Sequence, residues 1–163
     1  MQNKISPSVM CVPMYELGKY VEEMEVFGIE LIHIDIMDGV FVPNISFGFP
    51  VLKYVKQLST KPLDVHLMVE DVETGIEVFS AVEPNIITFH LEACKNKEEV
   101  MRNINMIKEK GSRVGISVKP NTPIEEVYEY LPYLHMCLVM TVEPGKGGQT
   151  LITEMIDKIS TLK

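Results

Sequence analysis

The chain has 163 residues, 46% hydrophobic and 23% charged, with a formal net charge of −8. That length suits one domain with a substantial core, and the composition excludes a disordered chain. The acidic balance argues against nucleic acid as a partner, no apolar run is long enough to span a bilayer, and the N-terminus lacks a secretory signal, so no membrane association is expected. Cys11, Cys94 and Cys137 show no CxxC spacing, which predicts reduced thiols in a cytoplasmic setting. A small anionic substrate is compatible with this charge if the site supplies local positive charge.

Residues 5–10 open as a short strand with Ser6 and Ser8 on one face. Leu17, Val21 and Met24 recur at helical spacing, and Gly28 stops that helix. Residues 31–39 are β-branched and end in an Asp-Gly turn signal, which predicts a strand. Successive side chains of a strand point to opposite faces, so Ile32, Ile34 and Ile36 share one face and His33, Asp35 and Met37 the other. Two residues of rise is roughly 7 Å, close enough for His33 and Asp35 to reach one ion between them. A loop carrying Pro43, Asn44 and Gly48 follows, then a helix with Pro50 in its first turn and Val51, Leu52, Val55 and Leu58 along it.

Residues 63–68 repeat the strand pattern: Leu63, Val65 and Leu67 on one face, Asp64, His66 and Met68 on the other. Either histidine alone reads as a core residue satisfied by backbone. The repetition, with a carboxylate two residues from each imidazole, points instead to one shared site.

A helix over 74–82 comes next, then a strand over 86–91 with Thr88 and His90 on one face. Val100, Ile104 and Ile107 mark a helix over 98–110 that closes on Gly111, and residues 114–118 are a strand. Thr122 and Glu125 predict a capping box with Pro123 at the first helical position, and that helix should bury Ile124, Val127 and Leu131. Residues 137–142 form another apolar strand. The loop Glu143-Pro144-Gly145-Lys146-Gly147-Gly148 leads to a last helix with Met155, Ile156, Ile159 and Leu162. His90 and His135 are assigned structural places.

Strand and helix alternate six times, which argues for parallel strands and crossover helices, hence α/β. Polar residues near strand C-termini favour a barrel over an open doubly wound sheet, because those ends build a barrel's active site. Eight units close a (β/α)8 TIM barrel. The chain is therefore expected to hold the first six βα units of one domain, residues 1–163, incomplete at its C-terminal end.

Two imidazoles and a carboxylate, from His33, Asp35 and His66, suit a divalent ion with room left for substrate. A structural ion site is the alternative, though such sites are usually closed by four protein ligands. Glycines at 145, 147 and 148 ahead of a helix could let backbone N–H groups approach an anion. Met37, Met68 and Met140 end three strands, where methionine is ordinarily core filler.

Together, Ser6-Pro7-Ser8, His33-Ile34-Asp35-Ile36-Met37-Asp38-Gly39, Phe41-Val42-Pro43-Asn44, Asp64-Val65-His66-Leu67-Met68-Val69 and Met140-Thr141-Val142-Glu143-Pro144-Gly145 resemble the ribulose-phosphate 3-epimerase family. The resemblance implies a (β/α)8 barrel that interconverts D-ribulose 5-phosphate and D-xylulose 5-phosphate. It implies that His33, Asp35 and His66 ligate one divalent ion (Zn, Fe or Mn) and that Asp35 is also one of two acid/bases. Ser8 would contact substrate, as would His66. Met37, Met68 and Met140 would line the reacting carbons, and Gly145, Lys146, Gly147 and Gly148 would help hold the phosphate of a small phosphosugar. A homo-oligomer is expected at full length.

Two departures stand out. Lys146 occupies a position where the family usually has an aromatic residue. The family's second catalytic aspartate, also its fourth metal ligand, lies on a seventh strand that nothing here matches. The 163-residue chain alone is therefore expected not to epimerise and to self-associate through unpaired strand edges. A hexulose phosphate such as allulose 6-phosphate is the rival substrate. A phosphosugar decarboxylase is disfavoured because Met37 stands where Asp-x-Lys-x-x-Asp requires lysine. A non-catalytic binding protein or fragment is the reading from another class.

Overall fold

The computed structural model describes residues 4–162. Its strands form one parallel sheet in chain order: β1 (Ile32–Met37), β2 (Leu63–Met68), β3 (Ile86–His90), β4 (Arg113–Val118) and β5 (Met136–Val139). Helix α1 (Leu17–Val26) precedes β1, and α2 (Phe49–Leu58), α3 (Val72–Phe79) and α4 (Lys97–Glu109) connect the next strands. A 3₁₀ helix, Ile124–Tyr133, links β4 to β5, and α5 (Met155–Ser160) follows β5. None of the helices is long and apolar enough to cross a membrane among the described residues.

Each strand pairs with the next in the chain, and parallel crossovers are right-handed, so the connecting helices stack on one side of the sheet. A doubly wound sheet would reverse its strand order partway, which this sheet does not. The architecture is α/β and TIM-barrel-like. Ile32, Ile34, Ile36, Leu63, Val65 and Leu67 bury their side chains with Val21, Leu52, Val55, Ile76 and Ile104 from the helices. The other sheet face carries buried Asp35, Asp64, His66, Thr88, His90 and Ser117. Burying that much polarity is tolerable only if the groups satisfy one another.

Several sequence expectations are corrected. The opening strand is reduced to a bridge between Ser8 and His33, so among the described residues five strands stand where six were expected. The chain turns away just past the bridge: the Val12 N–H donates to Val9 O at 3.1 Å, and Ser46 Oγ takes Asp35 O at 2.5 Å. Thr122 does not cap the helix after β4; its hydroxyl donates to Glu92 instead. That helix is 3₁₀ with Pro132 inside it, and Pro132 has no N–H to donate. Three residues per turn put Ile124, Val127 and Tyr130 inside, and leave Leu131 38% exposed. Strand β5 ends at Val139, short of the expected 142. Helix α5 begins only at Met155, so the glycine loop does not run into a helix N-terminus, and Ile156 and Ile159 are exposed.

Candidate metal centre and active site

Parallel register sets His33 against Asp64 and Asp35 against His66 across β1 and β2. Imidazole and carboxylate therefore alternate on neighbouring rungs of the inward face. Asp35 Oδ1 lies 3.3 Å from His33 Nε2 and 3.1 Å from His66 Nδ1. One donor atom from each of His33, Asp35 and His66 falls within 4.8 Å of the others.

The surroundings orient these donors. Asp64 Oδ2 is 2.7 Å from His33 Nδ1 and also accepts from Ser6 Oγ at 3.2 Å. A carboxylate has no proton to give, so His33 donates through Nδ1 and leaves Nε2 to face Asp35. Ser8 Oγ donates to Asp35 Oδ2 at 2.6 Å. Ser6 and Ser8 thus share one face, as the sequence implied.

Charge accumulates here in a definite way. Burial opposes a charge on His33, but the Asp35 and Asp64 carboxylates outweigh it and push the imidazole up to about 10. Burial likewise opposes ionisation of Asp35, yet the charged His33 beside it holds its carboxyl well below the usual range. Burial, reinforced by the charge on His33, lowers His66. The ion-free site therefore keeps a proton on His33 between two carboxylates, the position a cation would take over. Two nitrogens and an oxygen, already convergent and neutralised by one proton, fit a divalent ion with open coordination positions.

His90, assigned a structural place from sequence, is in contact with the site. Its Nε2 is 2.9 Å from His66 Nε2, its Nδ1 is 3.2 Å from Glu92 Oε2, and the His66 and His90 rings stack with centroids 4.9 Å apart. The available signal was the inward alternation of Thr88 and His90, the same one that singled out His33 and His66. Met37 and Met68 are register partners and bury together with Val42, with Met10 and Phe41 packed against them. Met140 is not in that cluster. It follows β5, half-buried, with its N–H on Val118 O at 3.0 Å.

The glycine loop sits beside this cluster. Asn44 Nδ2 donates to Gly145 O at 2.8 Å, and Gln149 Nε2 donates to Glu143 O and Lys146 O at 2.6 and 2.8 Å. Gly145 and Gly148 hold φ of 115° and 70°, which L side chains resist. Phe41, Asn44, Lys119, Glu143, Gly145 and Lys146 help line a cavity of about 440 Å³. Lys119 Nζ lies 3.9 Å above the Phe41 ring, and Lys146 is exposed at the rim with Gly147 and Gly148.

A model of the ribulose-phosphate 3 epimerase family matches residues 4–163. The chain is 38% identical over 160 residues to a ribulose-phosphate 3-epimerase of Bacillus subtilis (strain 168), covering 98% of this chain and 72% of that protein. It is 39% identical over 158 residues to the Treponema pallidum (strain Nichols) protein of that name, covering 97% and 71%. The Methanocaldococcus jannaschii counterpart is 41% identical over 160 residues, covering 98% of this chain and 66% of its own.

Proposed function

This chain belongs to the ribulose-phosphate 3-epimerase family, and on that premise we propose that it interconverts D-ribulose 5-phosphate and D-xylulose 5-phosphate by proton transfer at C3. Against the expectation that the chain alone does not epimerise, its family and relatives support an epimerase, and the names of those relatives favour a pentulose phosphate over a hexulose phosphate. The observation that carries the mechanism is the convergence of His33 Nε2 and His66 Nδ1 on Asp35 Oδ1.

His33, Asp35 and His66 would hold one divalent ion, of Zn, Fe or Mn type by its mixed nitrogen and oxygen donors. Such an ion supplies Lewis-acid stabilisation of the negative charge that builds on the substrate oxygens. Asp35 is the acid/base on one face. Its carboxylate is ionised throughout the neutral range, so it is ready to accept the C3 proton, and Ser8 fixes the orientation of its Oδ2. Its low basicity means that the substrate must be acidified for transfer to proceed. Inversion requires a second acid/base on the opposite face of the planar intermediate.

Met37 and Met68 present an apolar, water-excluding wall toward the reacting carbons, with Met140 on the same inward side by strand alternation. Ser8 and His66 face the substrate. The loop of Gly145, Lys146, Gly147 and Gly148 receives the phosphate, with Lys119 and Lys146 supplying positive charge against the overall −8. The working form is a cytoplasmic homo-oligomer without nucleic-acid or membrane partners.

The reading is tested by running the reaction in D₂O after chelation and after restoring Zn²⁺, Fe²⁺ or Mn²⁺. Deuterium should enter at C3 of the product, and chelation should remove most of the activity. Product without C3 deuterium would rule out proton transfer with solvent exchange. Full turnover by the chelated protein would remove the ion from the mechanism.

A further inference from the structure

We propose that Glu92 and His90 form a hydrogen-bond relay that fixes the proton of His66 on Nε2, so that Nδ1 is the atom offered to the ion. The inference rests on reading His33, Asp35 and His66 as the ion site. Glu92 follows β3 in a 3₁₀ turn, Leu91–Ala93, and its carboxylate is anchored from the far side. The Lys119 N–H donates to Glu92 Oε1 at 2.6 Å, and the Thr122 hydroxyl donates to the same oxygen. The other oxygen, Oε2, faces His90 Nδ1 at 3.2 Å.

Donor and acceptor roles then follow one from the next. An ionised carboxylate only accepts, so the His90 proton sits on Nδ1. A neutral imidazole has one N–H, which leaves His90 Nε2 as an acceptor. The atom facing it at 2.9 Å is His66 Nε2, which must therefore donate. His66 is left with an unprotonated Nδ1 3.1 Å from Asp35 Oδ1; two neutral rings cannot fill all three gaps with protons, and this is the gap that an ion bound between the two atoms would close. The opposite tautomer would hydrogen-bond Asp35 through Nδ1–H and consume the lone pair that ligates the ion. Adopting it with neutral rings would bring two acceptors together at His66–His90 or at His90–Glu92. His90 is fully buried and His66 nearly so, and no solvent proton relieves such a clash cheaply. Phe41 packs on the His90 ring at a centroid distance of 4.8 Å, tilted by 44°, and limits the ring's freedom to turn away from its partners. His90 and Glu92 are thus positioning residues that act through His66; outer partners of this kind fix the tautomer of metal-bound histidines.

The test is Zn²⁺ affinity, by competition with a chromophoric chelator, together with ring ¹⁵N shifts of His66 in the Zn²⁺-loaded protein. In the wild type, His66 should show a metal-bound Nδ1 and a protonated Nε2. His90→Phe should bind about 10–100-fold more weakly, the usual cost of losing an outer partner. His90→Gln, whose amide oxygen can accept from Nε2–H, should recover most of that loss. Glu92→Ala should also weaken binding, and should add little in the His90→Phe background because it acts only through His90. If His90→Phe does not fold, His90→Gln and Glu92→Ala carry the comparison. A wild-type His66 bound through Nε2, wild-type affinity in Glu92→Ala and His90→Phe, or fully additive losses would overturn the relay alone. A wild-type protein that takes up no Zn²⁺ would overturn the ion site itself, and the relay with it.

Discussion

Asp35 meets two imidazoles and a serine while staying charged. On the proposed mechanism Asp35→Asn removes a proton carrier and an anionic ligand together, so turnover should fall by at least ~10³, as general acid–base catalysis alone contributes about 10²–10⁴. Steady-state rates on D-ribulose 5-phosphate check this, and wild-type turnover in the variant would reduce Asp35 to a structural role. His33 gives the pH dependence. Its imidazole is raised from 6.5 to about 10 in the ion-free protein, so an incoming ion must displace a proton. Apparent ion affinity should therefore rise about tenfold per pH unit below that value, with about one proton released per ion near neutrality. Calorimetry in two buffers of different ionisation enthalpy counts that proton. The same raised group contributes stability in full below 6.5 and loses it as pH rises through about 10. The chelated protein should lose Tm across that window, and the ion-loaded protein, whose His33 is already deprotonated, should not lose it by this route.

At the scale of elements, the inward face is so closely packed that one glycine is sterically required. Thr88 and Gly115 are register partners on β3 and β4, and a Cβ on Gly115 would overlap Thr88 Oγ1 and lie 3.0 Å from Thr88 Cβ. Gly115→Ala should cost about 1–3 kcal/mol by overpacking. Adding Thr88→Ala should return part of it, as denaturant melts of the single and double variants would reveal; equal stability of the two would place the strain elsewhere. The 3₁₀ helix invites a second comparison. Ile124→Ala should cost about 2–5 kcal/mol because the side chain is buried, and Leu131→Gln should stay within about 0.5 kcal/mol. These elements also mark what could be read in the sequence. Period-2 alternation announced the inward faces of β1 and β2, because only that face could carry His33, Asp35, Asp64 and His66 together. Leu131 was misplaced because a pattern of apolar residues at 124, 127 and 131 fits 3.6 residues per turn, whereas this helix winds at three, with Pro132, which has no N–H to donate, inside it. Thr122 looked like a cap since a hydroxyl ahead of a helix ordinarily is one, and its partner Glu92 lies 30 positions away. His90 was passed over for the same reason: its meaning lies in His66, on the neighbouring strand.

Over the whole molecule, charge is the property that sets substrate capture. A chain of net charge −8 repels a phosphosugar dianion at long range, so on the proposal that the glycine loop receives the phosphate, binding depends on the local field there. Two cations line that cavity: Lys119, held over Phe41, and Lys146, exposed at the rim, with Glu143 opposing them. Lys146 interacts through water, so its attraction to the phosphate should be worth only ~0.5–1 kcal/mol, a factor of about 2–5 in affinity. It lies on the glycine loop and not among the groups around Asp35, so on this proposal the interaction is the same before and during proton transfer. Lys146→Ala should then raise KM about 2–5-fold and leave kcat nearly unchanged, the mark of lost uniform binding. Because the Debye length falls from about 10 Å at 0.1 M salt to about 3 Å at 1 M, the difference between variant and wild type should shrink as salt is added. Glu143→Gln should shift KM the other way at low salt. Michaelis curves for the three proteins at low and high ionic strength decide the matter. A KM for Lys146→Ala equal to wild type at low salt would put the Lys146 ammonium out of reach of the phosphate, and a fall in kcat would place it nearer the reacting carbons than the cavity lining indicates.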